Sequence, residues 1–330
     1  MLFREIIRKA LGEDSRIELV GFAGNPFDAK DMIPELKPHV ITLDIEMPRM
    51  DGIKFLRRLM PQYPVRVVVV TSLSASVFEA IDAGAVDFIS KPGNMDEDLE
   101  RFIADFKEKI FAAAQARLTY QRSADEGILL EADGVRGIID PRNVIAIGAS
   151  TGGTDAIGSI ITKFSSNMPG IVVAQHMPAG FTELYAKRLD ALSNLSVKEA
   201  ADGDPVLPSR ALIAPGGFHM TVEQSGAGYC VRCEKGEKAG GHRPSVDALF
   251  RSVAEAAGPR ALGVILTGMG KDGAAGLKAI RDSGGYTIGQ DKDSSVVYGM
   301  PMAACESGAV MKQLPLYRIP DEIIKRLSKE

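Results

Sequence analysis

The sequence predicts an α/β protein of two domains, each a parallel sheet wound on both faces by helices. Three observations lead there. Short apolar runs recur without polar alternation, as in Val65–Val70, Val144–Ala149, Ile171–Ala174 and Leu262–Leu266, which suits strands buried on both faces. They alternate with helix-length segments such as Phe181–Leu192 and Ser245–Ala257, as crossover connections in a parallel sheet require. Several runs end in residues that carry chemistry, among them Asp44, Ser150 and His176, and open α/β sheets put their chemistry at the carboxyl edge. A chain of 330 residues with 45% hydrophobic content is long and apolar enough for two cores.

At the amino end Leu2, Phe3, Ile6, Ile7 and Leu11 fall at helical spacing among alternating charges, unlike a signal peptide. Val40–Asp44 reads as a buried strand ending in an acid, followed by I-E-M-P-R-M-D-G, in which Asp51 and Gly52 form a turn. A second strand ends at Thr71-Ser72, and Phe88-Ile89-Ser90 leads to Lys91-Pro92. Asp, Thr and Lys at three adjacent strand ends make a phosphoryl-transfer pocket: the carboxylate accepts, and the hydroxyl and ammonium hold phosphoryl oxygens. Glu97 to Ala116 reads as a helix with Leu99, Phe102, Ile103, Phe106, Ile110 and Phe111 on one side. Beyond it periodicity fails until about Gly137 and Gly, Ser, Asp and Arg accumulate, as in a linker. The expected organisation is a domain over 1–110, a linker over 111–138 and a second domain over 139–330.

In the second domain Gly148-Ala149-Ser150-Thr151-Gly152 follows an apolar run. This matches the G-x-S-x-G elbow, whose small residues let a sharp turn hold a hydroxyl toward substrate while nearby N–H groups face an oxyanion. A phosphate-binding turn is the bland alternative. Downstream, the run Ile171–Ala174 ends in Gln175-His176-Met177-Pro178, and the run Leu262–Leu266 ends in T-G-M-G-K-D-G with Asp272. Three strand ends thus deliver a nucleophile, a base and an orienting carboxylate. The order Ser, His, Asp differs from that of α/β-hydrolases, chymotrypsin and subtilisin.

Six stretches run in order between residues 147 and 304: I-G-A-S-T-G-G-T, V-V-A-Q-H-M-P-A-G-F-T, A-P-G-G-F-H-M, R-P-S-V-D-A-L-F, L-T-G-M-G-K-D-G-A-A-G and V-V-Y-G-M-P-M-A-A. Together they resemble the catalytic domain of the CheB family of chemotaxis protein-glutamate methylesterases, a Rossmann-like doubly wound fold. The resemblance implies a serine hydrolase that removes methyl esters from receptor glutamates, releases methanol and deamidates specific receptor glutamines. It makes Ser150 the nucleophile, His176 the general base and then acid, and Asp272 the orienting carboxylate. It also lines the oxyanion site with the Met269 backbone N–H, Thr151 and Gly152. Its partners are methyl-accepting chemotaxis receptors as substrate and the chemotaxis histidine kinase as phosphodonor, and hydrolysis needs no cofactor.

The first third resembles a response-regulator receiver domain, a flavodoxin-like fold. By that resemblance Asp44 is the phosphorylation site, Thr71 and Lys91 sense the phosphate, and Phe88 is the aromatic switch residue. Phosphorylation then regulates the esterase. Receivers open with a strand ending in an acidic pair that holds Mg²⁺, whereas this chain opens M-L-F-R-E-I-I-R-K-A-L, which matches the helix after that pair. The Mg²⁺ site is expected to keep only Asp44 and the backbone carbonyl of Glu46, short of an octahedral oxygen set. The expectation is a start codon upstream of Met1, and a sheet edge left uncovered.

A net charge of −4 and a pI near 5.7 give no electrostatic reason to bind nucleic acid. No apolar run is long enough to span a bilayer, so a cytoplasmic location is expected; the expected oligomeric state is a monomer. Cys230-Val231-Arg232-Cys233 is a lone C-x-x-C without a second pair, weak evidence for a metal; Cys305 reads as a small buried hydrophobe. His219 and His242, flanked by glycines, border the cleft or are simply hydrogen-bonded loop residues, and His39 reads as structural. Arg243 and Asp247 position substrate or cap the helix after Pro244, where Ser245 suits the first turn. Two rival readings stay open: a different serine esterase on the same triad, and a receiver-linked binding module without catalysis. Against the latter, neither G-x-G-x-x-G nor G-K-[ST] occurs at the glycine turn.

Overall fold

The computed structural model describes residues 2–47, 50–72, 76–93, 99–118, 140 and 142–328. The chain divides into two compact units, Met1–Gln121 and Arg122–Glu330.

In the first unit the elements are α1 (Leu2–Gly12), α2 (Pro26–Leu36), β1 (Val40–Asp44), α3 (Gly52–Leu59), β2 (Arg66–Thr71), α4 (Val77–Asp82), β3 (Asp87–Ser90) and α5 (Leu99–Gln115). The three strands form a parallel sheet in the order β1-β2-β3. Val67, Val68 and Val69 of the central β2 are fully buried, as the apolar run predicts. Asp51 caps α3 by accepting from Ile53 N (2.7 Å) and Lys54 N (3.4 Å), so the expected turn is also a helix start. The helix α5 runs on to Gln115 with Ala112 and Ala113 buried, so residues 111–115 are helix rather than linker. Residues 119–138 of the expected 111–138 linker lie outside the described residues.

The second unit comprises β4 (Val144–Ala149), α6 (Gly153–Ile161), β5 (Gly170–Gln175), α7 (Phe181–Leu192), β6 (Ser196–Glu199), β7 (Pro205–Val206), β8 (Arg210–Ile213), β9 (His219–Ser225), β10 (Gly228–Glu234), α8 (Val246–Ala257), β11 (Ala261–Ile265), α9 (Ala274–Asp282), β12 (Tyr286–Gln290), α10 (Met300–Glu306), β13 (Lys312–Leu314) and α11 (Ile319–Leu327). Seven strands form one parallel sheet in the order β13-β12-β11-β4-β5-β8-β6. From β4 the chain moves to β5 on one side and later returns to β11 on the other, which makes β4 the strand at the topological switch point, where open α/β sheets bind ligands. The antiparallel set β7-β10-β9 is separate from this sheet; it packs Met220, Val222, Tyr229 and Val231 into the core under α8.

Helix α8 approaches β4 closely because residue 148 is glycine. A Cβ there would overlap Val246 Cγ1 and stand 3.0 Å from the Phe250 ring. The first glycine of the G-x-S-x-G stretch is therefore a packing requirement and not an oxyanion element. Gly148→Ala is expected to push α8 outward and lower stability by about 1–3 kcal/mol, the usual cost of overpacking; urea unfolding of the full chain measures it.

Candidate active site

Ser150 stands at the turn from β4 into α6, held by its backbone. Its N–H donates to Thr267 O (3.0 Å), and its carbonyl accepts from Gly153 N (2.7 Å) and Gln175 Nε2 (2.8 Å). Gly152 has φ of 76°, and a Cβ there would stand 2.6 Å from Val296 Cβ, so both conformation and space call for glycine. From the far side the loop after β11 closes in: a Cβ on Gly268 would lie 2.7 Å from Ser150 Cβ. Met269 follows, and among the described residues no backbone carbonyl takes its N–H. Thr151 is buried, with its carbonyl accepting from Thr267 Oγ1 (2.9 Å).

One strand over, β5 ends in register with β4, Gln175 opposite Ala149, and His176 N donates to Ala149 O (3.2 Å). The ring lies 2.8 Å from Asp272 through Nε2···Oδ2, both side chains about 95% buried (6% and 5% exposed). Asp272 also accepts at Oδ1 from Ser245 Oγ (2.9 Å) and Asp247 N (2.9 Å), and at Oδ2 from Val246 N (2.8 Å). Burial by itself would raise this carboxyl; the His176 hydrogen bond and charge, with the amides of Asp247 and Val246, outweigh it and lower its pKa from 3.8 to about 2. An ionised carboxylate only accepts, so Nε2 carries the imidazole hydrogen and Nδ1 keeps the lone pair. Nδ1 is buried and has no hydrogen-bond partner.

The structure thus places Ser150 and His176 at the ends of the neighbouring strands β4 and β5, and Asp272 in the loop between β11 and α9. It also separates roles that the sequence left mixed. His219 holds Glu237 O through Nε2 (2.8 Å) and accepts from Ser245 N at Nδ1 (3.3 Å), a loop-bracing residue. Asp247 ties α8 to α9 by accepting from Gly276 N (2.6 Å), and Ser245 is the N-cap of α8. Arg243 Nη1 donates to Gly236 O. His242 stacks face to face on His176, with ring centroids 3.8 Å apart and planes at 10°. Residues that sequence reading passed over are Gln175, Thr267 and Gln290. Gln290 Oε1 accepts from Thr267 N (2.8 Å), which fixes the carbonyl that Ser150 N uses. The Q-H pair at the end of β5 was the available signal for Gln175; nothing in the sequence marked Gln290.

The cysteines of C-x-x-C lie on β10, and burial raises both thiols, Cys233 to about 12, which keeps them protonated and weakly nucleophilic.

The first unit gathers a second set. Lys91 Nζ lies 2.6 Å from Asp44 Oδ2 and 3.7 Å from Glu46 Oε2. Glu46 N donates to Asp44 Oδ1 (3.0 Å), and Ser72 Oγ donates to Glu46 Oε2 (2.7 Å). The Ser72 hydroxyl and the Lys91 charge hold the Glu46 carboxyl below its usual value. Thr71 is fully buried at the end of β2, with its carbonyl accepting from Lys91 N (2.9 Å), and Phe88 is buried on β3. The Glu46 side chain is an addition to the pocket that the sequence reading credited only with a backbone carbonyl.

The CheB methylesterase family matches residues 145–323, and the response regulator receiver domain matches residues 1–103. A protein-glutamate methylesterase/protein-glutamine glutaminase 2 of Syntrophomonas wolfei is 51% identical over 330 residues, covering 100% of this chain and 96% of that relative. The chain belongs to the CheB methylesterase family. A relative of the same description from Pseudomonas aeruginosa is 44% identical over 333 residues, covering 99% of this chain and 95% of its own length. Among solved structures, the Thermotoga maritima CheB methylesterase catalytic domain is 41% identical with a TM-score of 0.55, covering 56% of this chain and 98% of that one. The family membership removes the non-catalytic binding module as a reading of the second unit. Among the described residues no helix is long and apolar enough to cross a membrane.

Asp272 ties the site to pH. Its folded pKa lies below the ordinary value of 3.8, so its stabilising contribution is complete above that value and is lost as pH falls toward about 2. Asp272→Asn is expected to flatten the decline in stability between about pH 4 and pH 2, read as urea midpoints at each pH.

Proposed function

We propose that this chain is a receptor-directed protein-glutamate methylesterase and glutamine deamidase, with Ser150 as nucleophile, His176 as base and acid, and Asp272 as the carboxylate that orients it. The observation that carries this reading is the buried His176–Asp272 pair, which leaves Nδ1 as the basic atom of the imidazole. Residues 1–110 are read as the receiver, with α5 running on to Gln115, 111–138 as containing the linker and 139–330 as the catalytic domain. Chemotaxis receptors are the proposed substrate and the chemotaxis histidine kinase the proposed phosphodonor, with a cytoplasmic, monomeric enzyme acting on them.

In the proposed reaction Ser150 Oγ attacks the side-chain carbonyl of a glutamyl methyl ester, and its proton passes to His176 Nδ1. The imidazolium is stabilised by Asp272 through Nε2–H. The oxyanion is held by the Met269 N–H, beside Thr151 and Gly152 at the start of α6, donors that need no reorganisation when charge develops. Collapse breaks the ester C–O bond; Nδ1–H protonates the departing methoxide, and methanol leaves an acyl-serine. Water then attacks that carbonyl, giving its proton to Nδ1, and the returning proton frees Ser150 and glutamate. With a glutamine side chain the same steps expel ammonia.

Methanol release from methyl-esterified receptor cytoplasmic fragments tests this. Ser150→Ala is expected to lose more than about 10³-fold in rate at equal folded concentration. Release by the variant at the parent's rate would remove Ser150 from the mechanism. Equal or greater activity of the parent on free short-chain esters would favour a different serine esterase.

For the receiver, Asp44 is the proposed phosphoryl acceptor, Thr71 and Lys91 the groups that hold the phosphoryl oxygens, and Phe88 the residue that responds. Mg²⁺ is the ion this domain type uses, and it prefers six oxygens in octahedral array. The residues here do not fit it. Asp44 is engaged by Glu46 N and Lys91, Glu46 by Ser72 and Lys91, and among the described residues no group of three or more His, Cys, Asp or Glu side chains is placed to hold a metal ion. Acetyl phosphate with Mg²⁺ is therefore expected to leave the rate of methanol release within about twofold of its unstimulated value; a clear rise would show that the donor set is sufficient.

A further inference from the structure

We propose that His242 is a positioning residue for the catalytic imidazole: its ring, stacked on His176, fixes the plane in which Nδ1 presents its lone pair to Ser150. This rests on the esterase reading above.

The need for such a residue follows from how His176 is held. The ring has one polar tether, Nε2 to Asp272 Oδ2 at 2.8 Å, and Nδ1 is buried without a partner. The Cβ–Cγ bond holds the ring at one end and this hydrogen bond at the other, which leaves the ring free to rotate about the line between them. Tilt swings Nδ1, and a base misplaced by about 1 Å from a reacting proton forfeits on the order of 10²-fold in rate. The missing constraint is a flat surface against the ring face, and His242 supplies it, at a centroid separation of 3.8 Å with the planes only 10° apart.

His242 is itself anchored. Its backbone makes a reciprocal pair with Ala239, Ala239 N to His242 O (3.2 Å) and His242 N to Ala239 O (3.1 Å), and the next carbonyl, of Arg243, accepts from Gly217 N (3.2 Å). Three residues on, Ser245 Oγ, Val246 N and Asp247 N all donate to Asp272. One stretch of chain, 242–247, therefore grips both partners of the pair: its first residue lies on the imidazole face, and its last three hold the carboxylate. His219 and Asp247 do not duplicate the role. His219 is occupied with Glu237 O and Ser245 N, and Asp247 with Gly276 N.

A ring is needed for this role, and a ring nitrogen is not. The full chain carrying His242→Ala is expected to lose roughly 10- to 100-fold in kcat for methanol release, with KM within about twofold of the parent. His242→Phe, flat but unable to take a proton, is expected to return kcat to within about threefold of the parent. His242→Leu fills the space without offering a plane and is expected to resemble alanine, which keeps the comparison available if His242→Ala does not fold. An unchanged kcat in alanine and leucine variants would overturn the proposal, and so would a phenylalanine variant as slow as leucine, since that would assign the effect to the nitrogen.

A second readout does not depend on turnover. In a Ser150→Ala background, the ¹⁵N side-chain signals of His176 are expected to be sharp and protonated at Nε2, and to broaden by exchange when His242→Leu is added but not when His242→Phe is added. If the parent released no methanol, the esterase reading would fail and these signals alone would decide the role of His242: sharp signals in all three backgrounds would refute it.

Discussion

The site depends on one buried negative charge. Asp272 is almost completely shielded from water, and a carboxylate taken out of water is costly unless donors replace the lost hydration. Four do so here, and they come from different parts of the chain: His176 at the end of β5, the Ser245 hydroxyl, and the Val246 and Asp247 amides at the start of α8. Those amides belong to the turn of a helix whose N–H groups have no internal partner, and the helix dipole adds to their attraction for an anion. Satisfying this one group therefore fixes the start of α8, the imidazole and the loop after β11 relative to one another. The imidazole inherits a defined tautomer as a consequence and not through any separate device.

Reaching that arrangement requires backbone elements to come closer than side chains ordinarily allow. Val246, whose amide binds Asp272, sits against two glycines where a Cβ would not fit: one on Gly148 would overlap it, and one on Gly273 would stand 2.5 Å from its Cγ1. Beside it, a Cβ on Gly276 would meet Asp247 O at 2.8 Å. Gly148, Gly273 and Gly276 thus let α8 and α9 settle against β4, β11 and each other. Gly152, with its left-handed backbone and Val296 behind it, and Gly153, where a Cβ would meet Gln175 and Ala149, shape the serine turn itself. A pattern that looks like one elbow motif divides into two physical jobs.

This division explains what was legible in the sequence. Parallel strands buried on both faces are written as uninterrupted apolar runs, so β1, β2, β4, β5 and β11 were readable to within a residue or two. The residue after each such run falls at the sheet's carboxyl edge whatever the loops do, which is why Ser150 and His176 could be placed there from the chain alone; Asp272 was read in the T-G-M-G-K-D-G stretch that follows the run ending at Leu266. What escaped were contacts between segments distant in sequence. Gln290 reaches Thr267 across neighbouring strands, and His242 reaches His176 from a glycine-flanked loop; neither leaves a periodicity or a local motif. In the first unit the helix read over Glu97 to Ala116 is observed over Leu99–Gln115 with Ala112 and Ala113 buried, so the domain limit at 110 cuts through an element whose extent the sequence already showed.

The two units put a carboxylate beside a basic side chain at a strand end, and burial decides what each pair is fit to do. Asp44 keeps 39% of its side-chain surface exposed beside Lys91, whereas Asp272 keeps 5% beside His176. An accessible carboxylate can meet an incoming phosphoryl group, and its attraction to a neighbouring ammonium is weakened by water, so the contact is exchangeable. A carboxylate sealed among four donors cannot be approached by any reactant, and its charge acts at full strength on the one ring it touches. The first stays open to solvent and to exchange of its partner, and the second can only hold its partner in place. The stack of His242 on the face of the His176 ring completes the same logic, since a ring held at its side-chain bond and at Nε2 and pressed on one face has little freedom left except the proton it carries.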